Sequence, residues 1–141
     1  MKKIADALEL LTAQHEHISA RIAGLETLTG DALVIAVGEV ADDIATHLIA
    51  EAEFRDSLCL ADNGEDEVIH RCLANVFATA INSPEMRTSL RTLASVFRIH
   101  VANQDQEFMT LAAVFEEDML AQLGTRLSVL ADNARVVTAH V

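Results

Sequence analysis

An unbroken helical pattern runs through residues 33–58, LVIAVGEVADDIATHLIAEAEFRDSL. Residues three or four positions apart share one face of an α-helix, and here that face reads Leu33, Val37, Val40, Ile44, His47, Glu51, Phe54 and Leu58. Two of its members are polar, yet they keep the spacing of the apolar residues around them. The segment therefore predicts a long helix that buries a histidine and a carboxylate one turn apart.

The same spacing predicts four further helices. A first helix over about residues 2–28 turns inward Ile4, Leu8, Leu11, His15, Ile18, Ile22 and Leu25. A third helix, which begins near Glu65 after the turn residues Asp62-Asn63-Gly64, is expected to turn inward His70, Leu73, Phe77 and Ile81. A fourth begins at Ser83-Pro84, continues to about Phe115 and turns inward Met86, Leu90, Leu93, Phe97 and His100. An amphipathic fifth helix follows over about residues 117–137.

Length and composition agree with a single all-α domain over residues 1–141. The chain is long enough for one domain, and five glycines with one proline leave little material for the turns of an all-β protein. Four long helices with short connections favour an up-down-up-down four-helix bundle over about residues 2–115, with the C-terminal helix lying on it.

The charge of the chain excludes several classes of partner. Ten Lys and Arg stand against 22 Asp and Glu, a formal net charge of -12, which repels both nucleic acid and an anionic membrane surface. No signal-peptide pattern and no apolar run of about 18 residues is present, so we expect a cytoplasmic protein. Cys59 and Cys72 lack the spacing of a metal motif, and we expect them to pack as small hydrophobic residues.

A histidine occupies an inward position in each of the four bundle helices. His15, His47, His70 and His100 interrupt the apolar stripes, and Glu51 lies on the same face as His47. A single inward histidine is usually a hydrogen-bonded core residue. Burying several imidazoles with a carboxylate is costly unless one partner satisfies them together, and a metal ion is such a partner. Imidazole with carboxylate suits iron, manganese or zinc.

Two neighbouring residues compete for the ligand position after His100. Gln104 lies four residues on and shares its face, but a neutral amide bridges metal ions poorly, whereas Asp105 lies about 140° around an ideal helix. Phe108 follows Asp105 by three residues, which indicates that the inward register slips by one residue after His100. A single π-bulge would produce this slip, so we predict Asp105 rather than Gln104 as the ligand.

In the order H…HxxxE…H…HxxxxD, these residues resemble the hemerythrin-like family, the HHE cation-binding domains, which are non-haem di-iron four-helix bundles. The resemblance extends from residue 4 to about residue 115. It implies a centre of two iron ions, joined by an oxo or hydroxo ligand and held by His15, His47, Glu51, His70, His100 and Asp105. The two carboxylates are the expected bridges. The histidines of the first two helices would bind one iron, and those of the third and fourth helices the other.

One position departs from the pattern of the family's oxygen carriers. These carry a second histidine four residues after the one on the third helix, and here that position is Ala74. Alanine cannot coordinate a metal, so the resemblance implies an open or water-filled position on the iron held by His70, unless Glu67 fills it from one turn earlier. His17 shares its face with Arg21 and is expected to face solvent.

Three functions remain open at this point. The resemblance implies a protein that binds O₂, NO or peroxide at the di-iron centre. Ala74 favours instead a redox enzyme that turns over these molecules, or one that donates iron for iron–sulfur cluster repair. Its electron-donor protein would have to come close, because the chain has no Tyr or Trp to relay electrons. The third is a metal-free structural bundle, which would leave the inward polar residues without a purpose.

Overall fold

The computed structural model of the chain describes the backbone of residues 6–61 and 64–139, and their side chains as far as residue 132. These residues form five α-helices and a 3₁₀ turn: α1 (Ala7–Gly24), the turn (Leu25–Thr27), α2 (Gly30–Ser57), α3 (Glu65–Phe77), α4 (Pro84–Val114) and α5 (Glu117–Ala139). No strand occurs among the described residues. The predicted all-α class is therefore confirmed, and α5 lies where the C-terminal helix is expected.

The helix starts follow local capping signals. The Asp6 carboxylate accepts a hydrogen bond from the Glu9 backbone N–H at 2.9 Å and caps α1. The Ser83 hydroxyl accepts one from the Met86 N–H at 3.1 Å. Pro84 takes the first position of α4, where its missing N–H costs nothing, so the predicted start of this helix is confirmed.

The first helix ends earlier than the predicted residue 28, and the predicted residues 2–5 lie outside the described part of the chain. α1 stops at Gly24, and the chain tightens into the 3₁₀ turn. The Arg87 guanidinium of α4 donates hydrogen bonds to the backbone carbonyls of Leu25 at 3.1 Å and Leu28 at 2.5 Å. These bonds satisfy carbonyl groups that a helix end would otherwise leave without partners.

The predicted inward faces of α2 and α4 are buried. On α2 the buried stripe includes Leu33, Val37, Val40, Ile44, His47, Glu51 and Phe54, and on α4 it includes Met86, Leu90, Leu93, Phe97 and His100. α5 packs against α1 and α2, α3 packs against α4, and α1 packs against both α2 and α4.

The predicted inward face of α3 is wrong by one residue. The buried residues of this helix are Ile69, Cys72 and Val76, whereas His70 and Phe77 are exposed. Both stripes have helical spacing, so the periodicity alone does not separate them. The helix turns Ile69 into the core because that stripe, and not the neighbouring one, completes the apolar surface against α4.

The core consists of two apolar clusters. The first apolar cluster joins α1, α2, α3 and α4 and includes Ile18, Ile44, Ile69 and Phe97. The second apolar cluster joins α1, α2, α4 and α5 and includes Leu11, Phe54, Phe108 and Leu127. The short α3 thus covers one part of the core and α5 the other. In the described part of the chain, every helix is too short or too polar to cross a lipid bilayer.

Removing the Phe54 ring should test this core. Phe54 is fully buried in the second apolar cluster and meets the Phe108 ring edge-on, with centroids 5.7 Å apart. In urea unfolding of the metal-free protein, Phe54→Ala should lower the free energy of unfolding by about 3–5 kcal/mol. Ile35→Ala, on the exposed face of the same helix, should change it by less than about 0.5 kcal/mol. Similar losses in both variants would contradict the described packing.

Candidate metal centre

Five buried polar residues lie between the two apolar clusters and are called here the polar layer. They are His15 of α1, His47 and Glu51 of α2, and His100 and Gln104 of α4, each at most 1% exposed. Along each of these three helices, the polar residues separate the residues of the first apolar cluster from those of the second. The polar layer therefore crosses the middle of an otherwise apolar core.

Three histidines from three different helices meet in the polar layer. The ring centroid of His15 lies 4.7 Å from that of His47 and 5.6 Å from that of His100, and the last two are 5.8 Å apart. One nitrogen from each ring lies within 4.8 Å of the other two. Ligands of a single ion are about 3–4 Å apart, so the spacing of the three nitrogens is close to that of a metal site.

Two of these rings are oriented by hydrogen bonds on the side that faces away from the polar layer. The His47 Nδ1–H donates to Gln14 Oε1 at 2.7 Å, and the His100 Nδ1–H donates to Glu65 Oε1 at 3.0 Å. Asn103 in turn donates to the other oxygen of Glu65 at 2.7 Å. Each ring is thereby held so that Nε2 faces the polar layer. Metal-binding histidines have this arrangement, in which an outer acceptor fixes the tautomer and the ring orientation.

Burial controls the protonation of the histidines. It lowers the pKa of His47 well below the ordinary value of 6.5, and the rings of His15 and His100 lower it further. Burial and the neighbouring His100 also lower the pKa of His15. Burial acts to lower the pKa of His100 too, but the carboxylates of Glu51 and Glu65 outweigh it and raise this pKa. His15 and His47 are therefore neutral near pH 7 and have a nitrogen available for a metal.

The two oxygens of Glu51 face different groups. Oε2 lies 3.5 Å from Nε2 of His47 and 3.1 Å from Nε2 of His100, while Oε1 lies 3.7 Å from Nε of Arg55. Because neutral His47 carries its proton on Nδ1, its Nε2 turns a lone pair toward a carboxylate oxygen. Two electron-rich atoms at this distance repel each other in a buried site, and a cation between them removes the repulsion.

Most of the inward polar atoms lack a hydrogen-bond partner among the described residues. They are both ring nitrogens of His15, Nε2 of His47, Oε1 of Glu51 and both amide atoms of Gln104. His100 Nε2 and Glu51 Oε2 have only each other, as an ion pair at 3.1 Å when His100 is protonated. Each buried polar atom left without a partner costs about 1–3 kcal/mol. A metal ion satisfies neutral ring nitrogens and carboxylate oxygens together, so the donors of the polar layer fit a metal ion.

The structure does not bring His70 to the polar layer, because α3 turns it outward. His70, Ala74 and Glu67 all lie on exposed parts of the helix, and Glu67 instead approaches Arg71 at 3.4 Å. The open position inferred from Ala74 therefore has no counterpart in the polar layer. α3 brings its first turn to the centre, where Asp66 forms a second group of close ligand atoms with Glu51 and His100.

The prediction of Asp105 over Gln104 is also not met by the geometry. α4 is a regular α-helix from Pro84 to Val114 without a π-bulge, so the register does not slip. Gln104, Phe108 and Leu111 continue the buried face after His100 at ordinary helical spacing. Asp105 has a 55% exposed side chain and reaches only to 3.9 Å of His15 Nδ1. The amide, and not the carboxylate, occupies the polar layer.

Four residues that surround the centre were not among the predicted ligands: Gln14, Arg55, Glu65 and Asp66. Arg55 is 7% exposed and is held by hydrogen bonds to Glu107 at 2.9 and 3.2 Å and to the Ala61 carbonyl at 3.2 Å. One sequence signal was available for Glu65, since it lies four residues before Ile69 on the stripe that α3 buries. Gln14 and Arg55 lie beside the inward stripes and carry no such signal.

Apolar side chains enclose the centre, and a cavity opens beside it. The Phe108 ring stacks parallel to His15 at a centroid distance of 6.1 Å, and the Phe97 ring meets His15 edge-on at 6.2 Å. Next to His100 lies a cavity of about 220 Å³, lined by Gly64, Glu65, Val68, Val96, Ile99 and His100. A small uncharged molecule therefore has an apolar approach to one of the histidines.

The chain was compared with known proteins at three levels. No protein-family model, curated protein or solved structure matches it. The interpretation of the polar layer therefore depends on its own residues and geometry.

The metal-free protein should lose stability as the pH falls below about 6.5. The unfolded chain takes up protons on His15 and His47 near 6.5, whereas the folded protein, in which both pKa values are lowered, does not. The free energy of unfolding should therefore fall toward about pH 5, by up to about 1.4 kcal/mol per pH unit for each histidine. His100 adds stability below pH 6.5 that is lost as the pH rises through its own raised pKa.

Urea unfolding in EDTA at several pH values measures this dependence. His47→Gln should flatten the decrease between about pH 6.5 and about pH 5, because one of the two groups is removed. His17→Ala, which changes an exposed histidine paired with Asp43 at 3.2 Å, should leave most of the decrease in place. A stability that is constant or rises over this range in the unmodified protein would refute the described burial of the histidines.

Proposed function

We propose that the protein binds iron in the polar layer through His15, His47, His100 and Glu51, and that the iron centre captures O₂, NO or peroxide. The observation that carries this proposal is the approach of Glu51 Oε2 to His47 Nε2 at 3.5 Å and to His100 Nε2 at 3.1 Å, in a fully buried position. A cation shared by these two groups and the neighbouring rings accounts for their arrangement.

The donor set narrows the choice of metal. Imidazole and carboxylate together suit iron, manganese and zinc. Cys72 is buried on α3 among the apolar residues of the first apolar cluster, so no thiolate contributes to the polar layer among the described residues. We favour iron within this set because the order His15, HxxxE, His100 resembles that of the hemerythrin-like family.

The same resemblance supports a proposal about topology. We infer that α1 to α4 run up-down-up-down, as in a hemerythrin-like bundle, and that α5 lies against it. The contacts of α1 with α2 and α4, and of α3 with α4, agree with this order. On this topology a single domain contributes every ligand of the centre.

The surroundings of the centre support a small uncharged ligand. Reduced iron, held by His15, His47, His100 and Glu51, would supply the electron density that binding of O₂ or NO requires. The chain supplies apolar surroundings, since the Phe97 and Phe108 rings lie 6.2 and 6.1 Å from the His15 ring. It also supplies rings that are already oriented by Gln14 and Glu65, so little ordering is needed when a metal binds.

Iron should stabilise the folded protein. Adding Fe²⁺ under anaerobic conditions to protein freed of metal should raise the thermal unfolding midpoint, since a ligand at 100 times its Kd adds about 2.7 kcal/mol of stability. EDTA should reverse the shift. Glu51→Gln removes the carboxylate charge and should weaken iron binding by at least about 10-fold, the lower bound for loss of an outer partner of a metal site.

His17→Ala is the matched control for this experiment. Its side chain is 53% exposed and approaches Asp43 outside the polar layer, so iron binding should stay unchanged. The proposal fails if iron leaves the unfolding midpoint where it is, or if the two substitutions weaken binding equally.

Exposure of the reduced, iron-loaded protein to each small molecule in turn should identify the ligand class. We expect O₂ or NO to produce an optical change that is reversed when the gas is removed, because the enclosed centre excludes water. Catalytic consumption of peroxide or O₂ over many cycles would instead indicate a redox enzyme. The absence of any spectral change with O₂, NO and H₂O₂ would refute the capture of these molecules while leaving iron binding intact.

A further inference from the structure

We propose that the polar layer holds one metal ion rather than the pair implied by the resemblance, with Glu51 binding through Oε2 alone. This inference rests on the proposed metal binding and concerns how many ions the site takes. It departs from the di-iron arrangement because the residues that would complete a second position lie elsewhere.

The donors for a second ion are not gathered in the polar layer. A pair of ions requires histidines on both sides, yet α3 directs His70 to the surface. It also requires a second bridging carboxylate, and at that level α4 presents the neutral Gln104, while the Asp105 side chain is 55% exposed. His70 and Asp105, the two residues that a second ion would need in addition, therefore lie outside the polar layer.

The second group of close ligand atoms does not replace them. Glu51, Asp66 and His100 bring ligand atoms within 4.8 Å of one another, but two of these residues already belong to the first group. One ring nitrogen of His100 donates to Glu65, which leaves a single nitrogen for a metal. An ion in this second position would have no histidine of its own, so the two groups are overlapping ways to surround one ion.

Arg55 opposes the bridging role of Glu51. A carboxylate that bridges two ions uses one oxygen for each, but here Oε2 faces the histidines and Oε1 lies 3.7 Å from the Arg55 Nε. The guanidinium carries a positive charge, and its hydrogen bonds to Glu107 and to the Ala61 carbonyl fix its position. A second cation on the Oε1 side would have to lie beside this positive charge in a buried site.

Metal stoichiometry tests the inference directly. Metal-free protein is loaded with excess Fe²⁺ under anaerobic conditions, or with Co²⁺, then desalted and analysed for metal per chain. We expect about one ion per chain, and for the Co²⁺ form the electron paramagnetic resonance signal of an isolated ion. Two ions per chain, or a signal of two coupled ions, would overturn the inference while leaving the proposed metal binding in place. No retained metal would refute the proposed function itself.

Variants of the two outward residues provide an independent measurement. His70→Ala should keep one ion per chain and change the Co²⁺ affinity by less than about 2-fold, the scale expected of surface changes. Asp105→Asn, which changes a carboxylate 3.9 Å from His15 Nδ1, should also keep one ion per chain. His47→Ala should weaken the Co²⁺ affinity by at least about 10-fold. Because His70 and Asp105 are exposed, these changes should leave the fold intact, which circular dichroism verifies. A fall in stoichiometry in either outward variant, or a 10-fold loss of affinity in His70→Ala, would overturn the inference.

Discussion

The architecture depends on one electrostatic constraint, the burial of a carboxylate against histidine nitrogens in the middle of an apolar core. Glu51 and His47 are fully buried, and neither can reach water to recover the lost solvation. Positive charge near Glu51 Oε2 therefore stabilises the folded state. In the metal-free protein, the raised pKa of His100 lets a proton supply part of that charge. The proposed metal ion would supply more of it and engage the neighbouring rings at the same time.

The helices around the polar layer are arranged so that this constraint can be met. The two apolar clusters lie on either side of the layer and anchor α1, α2 and α4, which hold the five buried polar side chains at one level. α3 is short and begins at this level, so its first turn brings Glu65 to His100. α5 covers the second apolar cluster, where α3 does not extend. The centre thus lies between two apolar clusters, and the acidic residue Glu65 lies beside it at the start of α3.

The outer residues determine what the inner ones can do. Gln14 and Glu65 accept the Nδ1–H bonds of His47 and His100, and these bonds direct the opposite nitrogens inward. Arg55 engages the side of Glu51 that faces away from the histidines. The donors are in this way divided unequally, with the available nitrogens and one carboxylate oxygen on one side and a guanidinium on the other. This asymmetry is the physical basis of the proposal that the centre takes one ion.

The amino-acid sequence was enough to predict the inward faces of α2 and α4 and the burial of His15, His47, Glu51 and His100. A long stripe of apolar residues with regular spacing is compatible with only one inward face of its helix. α3 is too short for that: Ile69, Cys72 and Val76 have the same spacing as His70, Leu73 and Phe77, and only packing against α4 selects between them. The choice between Gln104 and Asp105 likewise required the unbroken geometry of α4. Local periodicity by itself determined which helices form and which polar groups lie in their inward stripes. Contacts between helices that are distant in the chain decided which of those groups meet and which outer residues form hydrogen bonds to them.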